Sequence, residues 1–371
     1  MSQSSLHVTE EPAAESIFGR SDGPTGSYER VIHAHDRASG LKAIVAIHST
    51  LLGPALGGTR FYPYANEAAA LADVLRLSRG MTFKAAAAGL EVGGGKAVIL
   101  GDPDAIKTPK LLEAYGRLVE SLGGMFITGG DVGTTSEDVD VIGRTTHHVL
   151  TRTRGSGGSG DSGPLTALGV FHAMRAAALH AWGEPTLAGR RVGVEGLGKV
   201  GYHLASRLLA DGAEVLASDI SDKARERVRT TLPDVTIVER VLDADVEVYA
   251  PCALGGTIST SSAATIRARV VCGAANNQLA TPDVGDVLAA QGITWIPDYV
   301  ASGGGLIQGV VEREGGAADE AGRRVENIFE TAGTILGLAS QDGITPGSAA
   351  YNLVSARLRA AAATSCSRDG R

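Results

Sequence analysis

A glycine-rich turn between two predicted strands, in the second half of the chain, most constrains the fold. Arg191–Val194 is predicted to be a strand, and the sequence Gly-Leu-Gly-Lys-Val-Gly follows it closely over Gly196–Gly201. Tyr202–Asp211 has the apolar spacing of a helix, and Glu214–Asp219 is a second predicted strand that ends in an acid. A strand, a glycine turn of this spacing, a helix and a second strand together predict a βαβ unit of a parallel sheet.

The same turn predicts a dinucleotide site. In this interpretation Gly196 makes the turn, Gly198 leaves room for a pyrophosphate, and Gly201 lets the helix pack close to the strand. Asp219 lies where a carboxylate would bind the ribose hydroxyls, which favours NAD over NADP because it would repel a 2′-phosphate. Two basic residues shortly after it, at positions 223 and 225, keep NADP open. The alternative for the motif is an ordinary strand-to-helix turn.

Two lysines and an aspartate in the first half of the chain predict a second site, formed by Lys84, Lys96 and Asp131. Lys96 directly follows three glycines, which would let a substrate lie close to the backbone. Amino-group chemistry on a 2-oxo acid needs a cation for the carboxylate, a second cation for the carbonyl, and a group that moves protons. The alternatives are a surface lysine for Lys84 and a turn or capping carboxylate for Asp131.

Composition excludes several classes of function. The chain has 371 residues, of which 43% are hydrophobic and 20% charged, and this is typical of globular proteins. Its apolar runs fall short of the ~18 to 20 residues of a membrane span. The net charge of −7 argues against nucleic acid as a partner. Cys252, Cys272 and Cys366 have no metal-ligand spacing, so we expect no metal and a cytoplasmic protein that acts on small molecules.

The length is sufficient for two domains, and together with the βαβ unit and the second site we expect an α/β fold with two domains around a cleft. Residues 1–22 are polar and acidic and are predicted to be a disordered tail. Residues 23–153 would form a substrate-binding and catalytic domain, and the glycine-rich residues 154–164 a hinge without a regular element. Residues 165–328 would form a doubly wound, Rossmann-type dinucleotide-binding domain.

The apolar pattern also predicts the elements that carry the first site. Ala43–His48 is predicted to be a strand, and Glu67–Arg79 an amphipathic helix with Lys84 just beyond its end. Phe126–Thr128 is a brief predicted strand that leads to the loop of Asp131. The remaining predicted helices are Leu111–Leu122, Ala167–Trp182, Val325–Leu338 and Ala349–Ala363.

Several further segments together resemble one enzyme family. They are Gly53–Arg60, Gly93–Ile99, Asp131–Thr134, Pro251–Gly256 and Gly273–Leu279. With these segments the chain resembles the glutamate, leucine, phenylalanine and valine dehydrogenase family over nearly its whole length. Asp36–Ala43 and Phe61–Tyr64 make the N-terminal third most similar to actinobacterial valine dehydrogenases.

The resemblance implies reversible, NAD-dependent oxidative deamination of an apolar L-amino acid, branched-chain or aromatic, to its 2-oxo acid and ammonia. Lys84 would then pair with the substrate carboxylate. Lys96 would polarise the carbonyl or hold the attacking water, and Asp131 would relay protons. The resemblance also implies a homo-oligomer and a C-terminal region, residues 329–371, whose helices join the first domain.

The same resemblance implies which residues contact substrate and cofactor. The substrate would contact Leu56, Gly57, Gly58, Lys84, Gly129, Ser302, Leu306 and Gly309. The cofactor would contact Thr166, Gly196, Leu197, Gly198, Lys199, Val200, Gly201, Asp219, Ala253, Asn276 and Asn277. For the threonine and the asparagines the alternative is ordinary hydrogen bonding within a loop.

The chain departs from the family pattern beside the reacting atoms. Ser302 stands where the family has an asparagine next to substrate and nicotinamide, and a serine is shorter and has one donor fewer than an amide. Gly129 and Gly130 replace an alanine and a bulkier residue. Both departures remove volume, so the orientation of the substrate amine or of the nicotinamide would change.

The predicted pocket indicates the kind of side chain that would bind. Leu56 stands where glutamate dehydrogenases have a lysine, and it argues against a glutamate substrate because the distal charge would be buried without a partner. Gly129 and Gly309 predict an apolar pocket that suits an aromatic or long aliphatic side chain better than valine. Leu306 takes back some of that space.

Two alternatives to this reaction stay open. A reductase or dehydrogenase of an unusual amine or imine in a specialised pathway would account for Ser302 and Gly130, and it would turn over without ammonia. A protein that binds NAD without turnover would have a regulatory or structural role. Ammonia-dependent turnover separates the predicted dehydrogenase from both.

Overall fold

The chain folds into two six-stranded sheets with helices packed around them. The computed structural model describes residues 27–369, so the predicted tail, residues 1–22, lies outside the described residues. The first sheet is built from residues that precede the glycine-rich segment 154–164, and the second from residues that follow it. The predicted α/β class is confirmed.

The strands of the described residues, in chain order, are β1 (Arg30–Asp36), β2 (Leu41–Ser49), β3 (Ala55–Leu56), β4 (Thr59–Tyr62), β5 (Gly93–Leu100), β6 (Phe126–Ile127), β7 (Arg191–Glu195), β8 (Glu214–Ser218), β9 (Thr236–Ile237), β10 (Val248–Pro251), β11 (Val270–Val271) and β12 (Thr294–Trp295). The helices are α1 (Glu67–Ala87), α2 (Pro103–Ile106), α3 (Pro109–Ser121), α4 (Ser136–Ile142), α5 (Gly163–Trp182), α6 (Gly201–Ala210), α7 (Asp222–Thr231), α8 (Thr260–Ala263), α9 (Val284–Ala290), α10 (Asp298–Ala301), α11 (Gly304–Arg313), α12 (Ala318–Glu326), α13 (Ile328–Asp342) and α14 (Pro346–Asp369).

The first sheet places Lys96 next to the segment that carries Asp131. Its order is β1-β2-β5-β3-β6, and β4 also pairs with β5. Lys96 lies on β5, which runs antiparallel to β2 and parallel to both β3 and β4. An isolated bridge joins Thr59, the first residue of β4, to Gly130. Asp131 therefore follows directly on a residue that is hydrogen-bonded into the edge of this sheet.

The second sheet has the topology of a dinucleotide-binding sheet. It is parallel throughout, with the order β12-β11-β10-β7-β8-β9. Counted from β7, this is the 3-2-1-4-5-6 order of a doubly wound fold. The order reverses between β7 and β10, and ligands of such sheets bind outside the carboxyl ends of the strands at that point. The predicted βαβ unit corresponds to β7, α6 and β8.

Helix α1 is longer than the sequence pattern predicts, and this changes the position of Lys84. The predicted helix ends at Arg79, before a glycine, whereas α1 continues through Gly80 to Ala87. The prediction that Lys84 follows the helix is therefore wrong, because Lys84 lies inside its last turn. The alanines from Ala85 onward favour this extension, since alanine has the highest helix propensity and offsets the single glycine.

The glycine-rich segment 154–164 is partly regular, which corrects the prediction that it forms no regular element. Arg154–Ser156 forms a short 3₁₀ helix, and α5 begins at Gly163 rather than at Ala167. Pro164 is compatible with this early start because a proline in the first helical turn lacks only an N–H that has no partner within the helix. The domain boundaries placed here stay a prediction.

The C-terminal helices pack back on α1. The predicted helix Val325–Leu338 is divided at Asn327 between α12 and α13, and α14 extends beyond Ala349–Ala363 at both ends. From α14 the Arg357 guanidinium donates to main-chain carbonyls at the end of α1, including that of Ala86 at 2.9 Å. None of the helices within residues 27–369 has an apolar stretch that could span a membrane.

Candidate active site

A cleft of about 720 Å³ is lined by residues from both sheets and their helices. All predicted catalytic and substrate-contacting residues line it: Leu56, Gly57, Gly58, Lys84, Lys96, Gly129, Asp131, Ser302, Leu306 and Gly309. Of the predicted cofactor residues, it is lined by Thr166, Gly198, Lys199, Val200, Ala253, Asn276 and Asn277. The lining does not include Gly196, Leu197, Gly201 or Asp219.

Lys84 is buried in the last turn of α1 and reaches across the cleft. Its ammonium donates to Asn276 Oδ1 at 3.1 Å. Burial lowers the pKa of Lys84 to about 8, against the attraction of Asp298 and together with the repulsion of Lys96. The ammonium can therefore lose its proton close to neutral pH, and a carboxylate bound against it would restore the charged form.

Lys96 and Asp131 form an ion pair that a third residue shares. Lys96 Nζ lies 3.2 Å from Asp131 Oδ2, and Arg60 Nε donates to the same oxygen at 3.1 Å. Burial by itself raises the pKa of Asp131, but the charges of Lys96 and Arg60 outweigh it and hold that pKa well below its ordinary value. Burial lowers the pKa of Lys96, against Asp131 and together with Arg60. An ionised carboxylate thus lies beside an amine that gives up its proton more easily than a surface lysine.

Glycines allow the backbone segments of this cluster to approach one another. A Cβ on Gly57 would lie 1.8 Å from the Gly95 carbonyl oxygen, and one on Gly58 would lie 2.6 Å from that of Gly130. A Cβ on Gly94 would lie 2.0 Å from the Thr82 amide of α1. Side chains at these positions would push β3, β4, β5 and α1 apart, and the distances that join Lys96 to Asp131 would be lost.

The glycine turn after β7 fits a dinucleotide. A Cβ on Gly198 would meet no other atom within 4 Å, so the space next to this residue is open. A Cβ on Gly201 would lie 1.8 Å from the Gly196 carbonyl, and one on Gly196 would lie 2.7 Å from the Ala253 amide. Gly196 also has a φ of 98°, in the left-handed region that favours glycine. Together they leave space for a pyrophosphate at the N-terminal end of α6.

Asp219, the residue after β8, is held against the glycine turn by backbone amides. Its Oδ2 accepts from the Leu197 amide at 2.6 Å and its Oδ1 from the Ser221 amide at 2.7 Å. Arg225 donates to the Asp219 main-chain carbonyl and to the carboxylate of Asp222. The Asp219 carboxylate is therefore fixed next to the turn, where a ribose would lie.

Leucine side chains form an apolar wall in the cleft, and one of them was not predicted. Leu56, Leu150 and Leu306 are buried and line the cleft. A Cβ on Gly309 would lie 3.5 Å from Leu150 and 3.8 Å from Leu56, which is ordinary contact. A Cβ on Gly129 would lie only 3.1 Å from the Leu150 carbonyl. The Leu150 side chain and carbonyl therefore occupy part of the space beside Gly309 and Gly129.

Ser302 is buried at the end of α10, and its hydroxyl is used within that helix. The Ser302 Oγ donates to the Asp298 carbonyl at 2.7 Å, and the Ser302 amide donates to the same carbonyl at 2.8 Å. Asp298 in turn accepts a hydrogen bond from the Asn277 amide at 3.0 Å. The serine lines the cleft, but its single donor already has a partner.

Comparison with known proteins identifies the family. A family model described as Glu/Leu/Phe/Val dehydrogenase, dimerisation domain, matches residues 28–148. A second, described as Glutamate/Leucine/Phenylalanine/Valine dehydrogenase, matches residues 157–225 and 221–326. The chain belongs to this family.

Individual members of the family are similar to this dehydrogenase along most of its length. A valine dehydrogenase of Streptomyces virginiae is 51% identical over 337 residues, which cover 90% of this chain and 94% of that protein. A leucine dehydrogenase of Bacillus cereus is 42% identical and covers 89% of this chain and 91% of that protein. The solved structure of L-tryptophan dehydrogenase from Nostoc punctiforme has 42% identity and a TM-score of 0.72, and covers 90% of this chain and 96% of that one.

These matches confirm the resemblance that the sequence motifs indicated and the prediction of an amino acid dehydrogenase. The family consists of NAD(P)-dependent oxidoreductases. The assignment of individual residues to catalysis, substrate or cofactor stays a prediction, supported by their positions around one cleft.

Some residues of the dehydrogenase cleft were missed. Arg60, Asp73 and Tyr64 form a connected set beside Asp131. Arg60 and Tyr64 lie within motifs that already carried the family resemblance, so a signal for them was present in the sequence. Leu150 lies outside the segments that carried the family resemblance, and nothing in the sequence marked it as part of the cleft.

Proposed function

We propose that this chain catalyses the reversible oxidative deamination of an apolar L-amino acid, with NAD as the hydride acceptor. One observation carries the proposal: a cluster of Lys84, Lys96 and Asp131 faces an apolar wall and an open glycine turn across a single cleft. Cations, a carboxylate and an apolar pocket are what recognition of an apolar amino acid and removal of its amino group need.

Lys84 is the group proposed to hold the substrate carboxylate. It is buried, so its attraction for an anion is little screened by water. Its amide partner, Asn276 Oδ1, carries no net charge, so a carboxylate can replace or join it without breaking an ion pair. Binding would raise the pKa of Lys84 from about 8 and keep the lysine protonated.

Lys96 and Asp131 are proposed to handle the protons. With Asp131 Oδ2 already bonded to Lys96 and Arg60, its Oδ1 accepts no hydrogen bond from any residue within 27–369 and is available to the substrate amino group. Once the hydride has left the α-carbon and a C=N bond has formed, neutral Lys96 would take a proton of the water that adds to that carbon. Because its pKa is held low, Asp131 stays ionised near neutral pH. It is therefore suited to accept a hydrogen bond and to pass a proton on, but not to remain protonated.

The glycine turn and the loops opposite are proposed to hold the cofactor. Gly196, Gly198 and Gly201 would carry the pyrophosphate, with Leu197, Lys199 and Val200 in the same turn. Thr166, Ala253, Asn276 and Asn277 would lie beside the nicotinamide end. When bound, NAD accepts the hydride from the substrate α-carbon. The residues around the cleft then keep the two reactants in contact and exclude bulk solvent, apart from the water that reacts.

Asp219 supports NAD rather than NADP as the cofactor. Its carboxylate is fixed by two amides beside the turn, where it would repel a 2′-phosphate. Arg225, which could otherwise favour that phosphate, donates to the Asp219 carbonyl and to Asp222. We expect a higher kcat/KM with NADH than with NADPH.

The apolar wall supports a branched-chain or aromatic substrate. Leu56 provides no partner for a distal carboxylate, which disfavours glutamate. Gly309 leaves room that one methyl group would fill, while Leu150 limits the depth. Discrimination by one methylene in such a pocket is worth only ~1 to 3 kcal/mol, so activity with more than one apolar substrate is expected.

A homo-oligomer and a two-domain arrangement are part of the proposal. The family model for residues 28–148 is described as a dimerisation domain. Strand β1 is at the end of the first sheet and pairs with β2 alone among the described strands, so its outer edge can meet another copy. Light scattering during gel filtration would give the number of copies.

The test is NADH consumption with ammonia and the 2-oxo acids of valine, leucine, phenylalanine and tryptophan, measured beside a Lys96→Ala variant. Ammonia-dependent turnover that is lost in the variant is the expected result. The order of kcat/KM across the panel gives the side chain that fits the pocket.

The alternatives predict other outcomes of the same assay. Turnover of an amine or imine without ammonia would replace the proposed reaction with reduction or oxidation of that class of compound. NADH binding in calorimetry, with no turnover on the whole panel, would contradict enzymatic function.

A further inference from the structure

Arg60 lies between two carboxylates at the edge of the cleft. Its Nε donates to Asp131 Oδ2 at 3.1 Å, and its Nη1 pairs with Asp73 Oδ2 at 2.9 Å. Tyr64 donates to the same Asp73 oxygen at 2.5 Å. Only 14% of the Arg60 side chain is exposed. The guanidinium therefore bridges the two carboxylates, with one charge-assisted hydrogen bond to each.

The backbone fixes Arg60 relative to Asp131. The Thr59 amide donates to the Gly129 carbonyl at 2.9 Å, and the Phe61 amide donates to the Val132 carbonyl at 2.8 Å. The residues on either side of Arg60 are thus bonded to residues on either side of Asp131. This ion pair does not depend on two mobile surface side chains, which is why it can act on the geometry of the site.

Lys96 and Arg60 compete for one oxygen. Both donate to Oδ2 of Asp131, at 3.2 Å and 3.1 Å. Two cations on one oxygen turn the carboxylate so that Oδ1 is the oxygen left for other partners. They also share a single negative charge, so each cation is attracted less than it would be alone.

We propose that Arg60 is a positioning residue of the reaction: it holds Asp131 with Oδ1 toward the substrate amine, and it keeps Lys96 able to give up its proton. This inference rests on the proposed function, since it assigns Lys96 and Asp131 the roles given above. Asp73 and Tyr64 act through Arg60, because they hold the far side of its guanidinium.

The charged groups around Lys96 define what removal of Arg60 would do. Lys96 faces Asp131, Arg60 and Asp73, and from α1 it faces Lys84. Tyr64 and Asp298 are one step further away, beside Asp73 and Lys84. Without Arg60 the carboxylates of Asp131 and Asp73 act on Lys96 with no nearby guanidinium, so the pKa of Lys96 rises.

The first test is the pH profile of kcat/KM for deamination in the wild type, Arg60→Met and Arg60→Lys. In Arg60→Met the acid limb should move to higher pH by about one unit, because Lys96 must lose a proton to act as the base. In Arg60→Lys the charge remains but the two-sided contact is lost, since an ammonium cannot bridge both carboxylates in the same way. That variant should keep the acid limb near its wild-type position and lose about tenfold in kcat.

A control separates this effect from a loosened loop. Lys107 donates to the Gly133 carbonyl at 3.2 Å and to Asp138 at 2.8 Å, so it holds the loop after Asp131 without a direct contact to Lys96. Lys107→Met should lower kcat and leave the acid limb in place. If Arg60→Met, like Lys107→Met, lowered kcat and left the acid limb of the kcat/KM profile in place, Arg60 would be only structural and the proposal would be overturned.

A second readout does not need turnover. The rate at which an amine-reactive reagent labels Lys96, followed by mass spectrometry of the peptide as a function of pH, reports the protonation of that lysine. Its midpoint should be higher in Arg60→Met than in the wild type. A chain without activity on any 2-oxo acid would contradict the proposed function and still allow this titration. Equal midpoints would overturn the role of Arg60 whatever the activity.

Discussion

Lys84 and Lys96 face the same cleft with different partners. Lys84 donates to a neutral amide oxygen, whereas Lys96 is paired with a carboxylate that it shares with Arg60. An amide does little to keep a buried ammonium charged, and the pKa of Lys84 is lowered by burial to about 8. Lys84 is therefore suited to exchange its partner for a substrate carboxylate.

The protonation of Lys84 should set how the affinity for the 2-oxo acid depends on pH. Above pH 8 the free enzyme loses the charge on Lys84, so KM for the 2-oxo acid should rise with pH when ammonia is saturating at every point. Lys84→Gln should have a KM at least about tenfold higher at pH 7 and a flatter pH dependence. The exposed Lys110→Gln serves as the control. The same rise in KM in Lys84→Gln as in the wild type would exclude Lys84 as its cause.

Ser302 should matter less than its place in the family pattern suggests. Its hydroxyl donates to the Asp298 carbonyl, and this carbonyl also accepts a hydrogen bond from the Ser302 amide. Loss of the hydroxyl therefore leaves the carbonyl with a donor. Ser302→Ala should therefore change kcat/KM by less than about threefold, since only one neutral hydrogen bond inside a helix is lost. Initial rates with the best 2-oxo acid of the panel give the ratio. A loss of tenfold or more would mean that the hydroxyl contacts the substrate.

The last turn of α1 connects Lys84 to the C-terminal helix. Arg357 of α14 donates to the carbonyls of Ala85, Ala86 and Leu90, at 3.3, 2.9 and 2.9 Å. A cation at the C-terminal end of a helix satisfies carbonyls that have no partner within the helix and interacts favourably with the helix dipole. Phe83 packs against Tyr351 of the same helix with ring centroids 5.9 Å apart. The turn that carries Lys84 is therefore held from α14.

Removal of the arginine should loosen that turn. Arg357→Met removes a charged donor from three buried carbonyls, of which those of Ala85 and Ala86 keep an amide donor, so we expect the free energy of unfolding to fall by about 1 to 3 kcal/mol. KM for the 2-oxo acid should rise more than kcat falls, because Lys84 is the residue proposed to hold the substrate carboxylate. Urea denaturation and initial rates measure the two effects.

The matched control for this prediction is Glu91, which pairs with the same guanidinium at 2.9 Å but has 84% of its side chain exposed. Glu91→Gln should change neither stability nor KM measurably, since exposed ion pairs contribute little. Equal effects of Glu91→Gln and Arg357→Met would assign the role to the ion pair rather than to the carbonyls.

Among the helices and strands, those that depend on the period of apolar residues and on neighbouring residues could be predicted from the sequence. The βαβ unit around Gly196–Gly201 was predicted because its strand, turn and helix are contiguous. The end of α1 was not, because Gly80 is a local signal for a stop, and it is offset both by the alanines from Ala85 onward and by the contacts of Arg357, far along the chain. Helix ends that depend on distant side chains cannot be derived from local propensity.

Contacts between distant parts of the chain join the two sides of the cleft. Lys84 of α1 donates to Asn276, and Lys199 of the glycine turn donates to the Thr134 carbonyl at 3.3 Å. Glu312 of α11 accepts from the Thr151 amide and from the Ser159 amide. The two sides are therefore held together by polar contacts at the site itself.

Of these polar contacts across the cleft, those of Glu312 should contribute most to stability. It accepts from the Thr151 amide at 3.1 and 3.0 Å and from the Ser159 amide at 3.0 Å, and Thr151 Oγ1 accepts from the Gly130 amide beside Asp131. Glu312→Ala should lower the free energy of unfolding by about 2 to 3 kcal/mol, because two amides lose their partner. It should also lower kcat, because the loop of Asp131 is supported through Thr151.

The control for Glu312 lies two residues further along. Glu314 pairs with Arg324 at 2.7 Å with 49% of its side chain exposed, so Glu314→Ala should cost less than about 1 kcal/mol. Thermal unfolding and kcat in both variants check the prediction. A Glu312→Ala variant as stable and active as Glu314→Ala would show that the glycine-rich segment needs no such tie.

The cleft as a whole was predicted more completely than its details. The sequence predicted one site for Lys84, Lys96 and Asp131 because Lys96 and Asp131 lie in recognisable motifs and Lys84 precedes Lys96 by twelve residues. Leu150 was missed because it enters the cleft through the pairing of Thr128 with Val149, a contact that no local pattern encodes. Arg60 was visible in a motif, but its role depends on the position of Asp131 after folding.

The contact between Arg357 and α1 has a consequence for the order in which the chain is made. Lys84, Lys96 and Asp131 are all synthesised before residue 135, whereas Arg357 emerges more than two hundred residues later. The first sheet can pair its strands early, since domains generally fold as they leave the ribosome. The turn that carries Lys84 gains the Arg357 donor only when α14 has been synthesised and has docked. A nascent chain would thus bring together the proposed proton-transferring pair early, and the turn of the lysine proposed to bind substrate would gain its contact with α14 last.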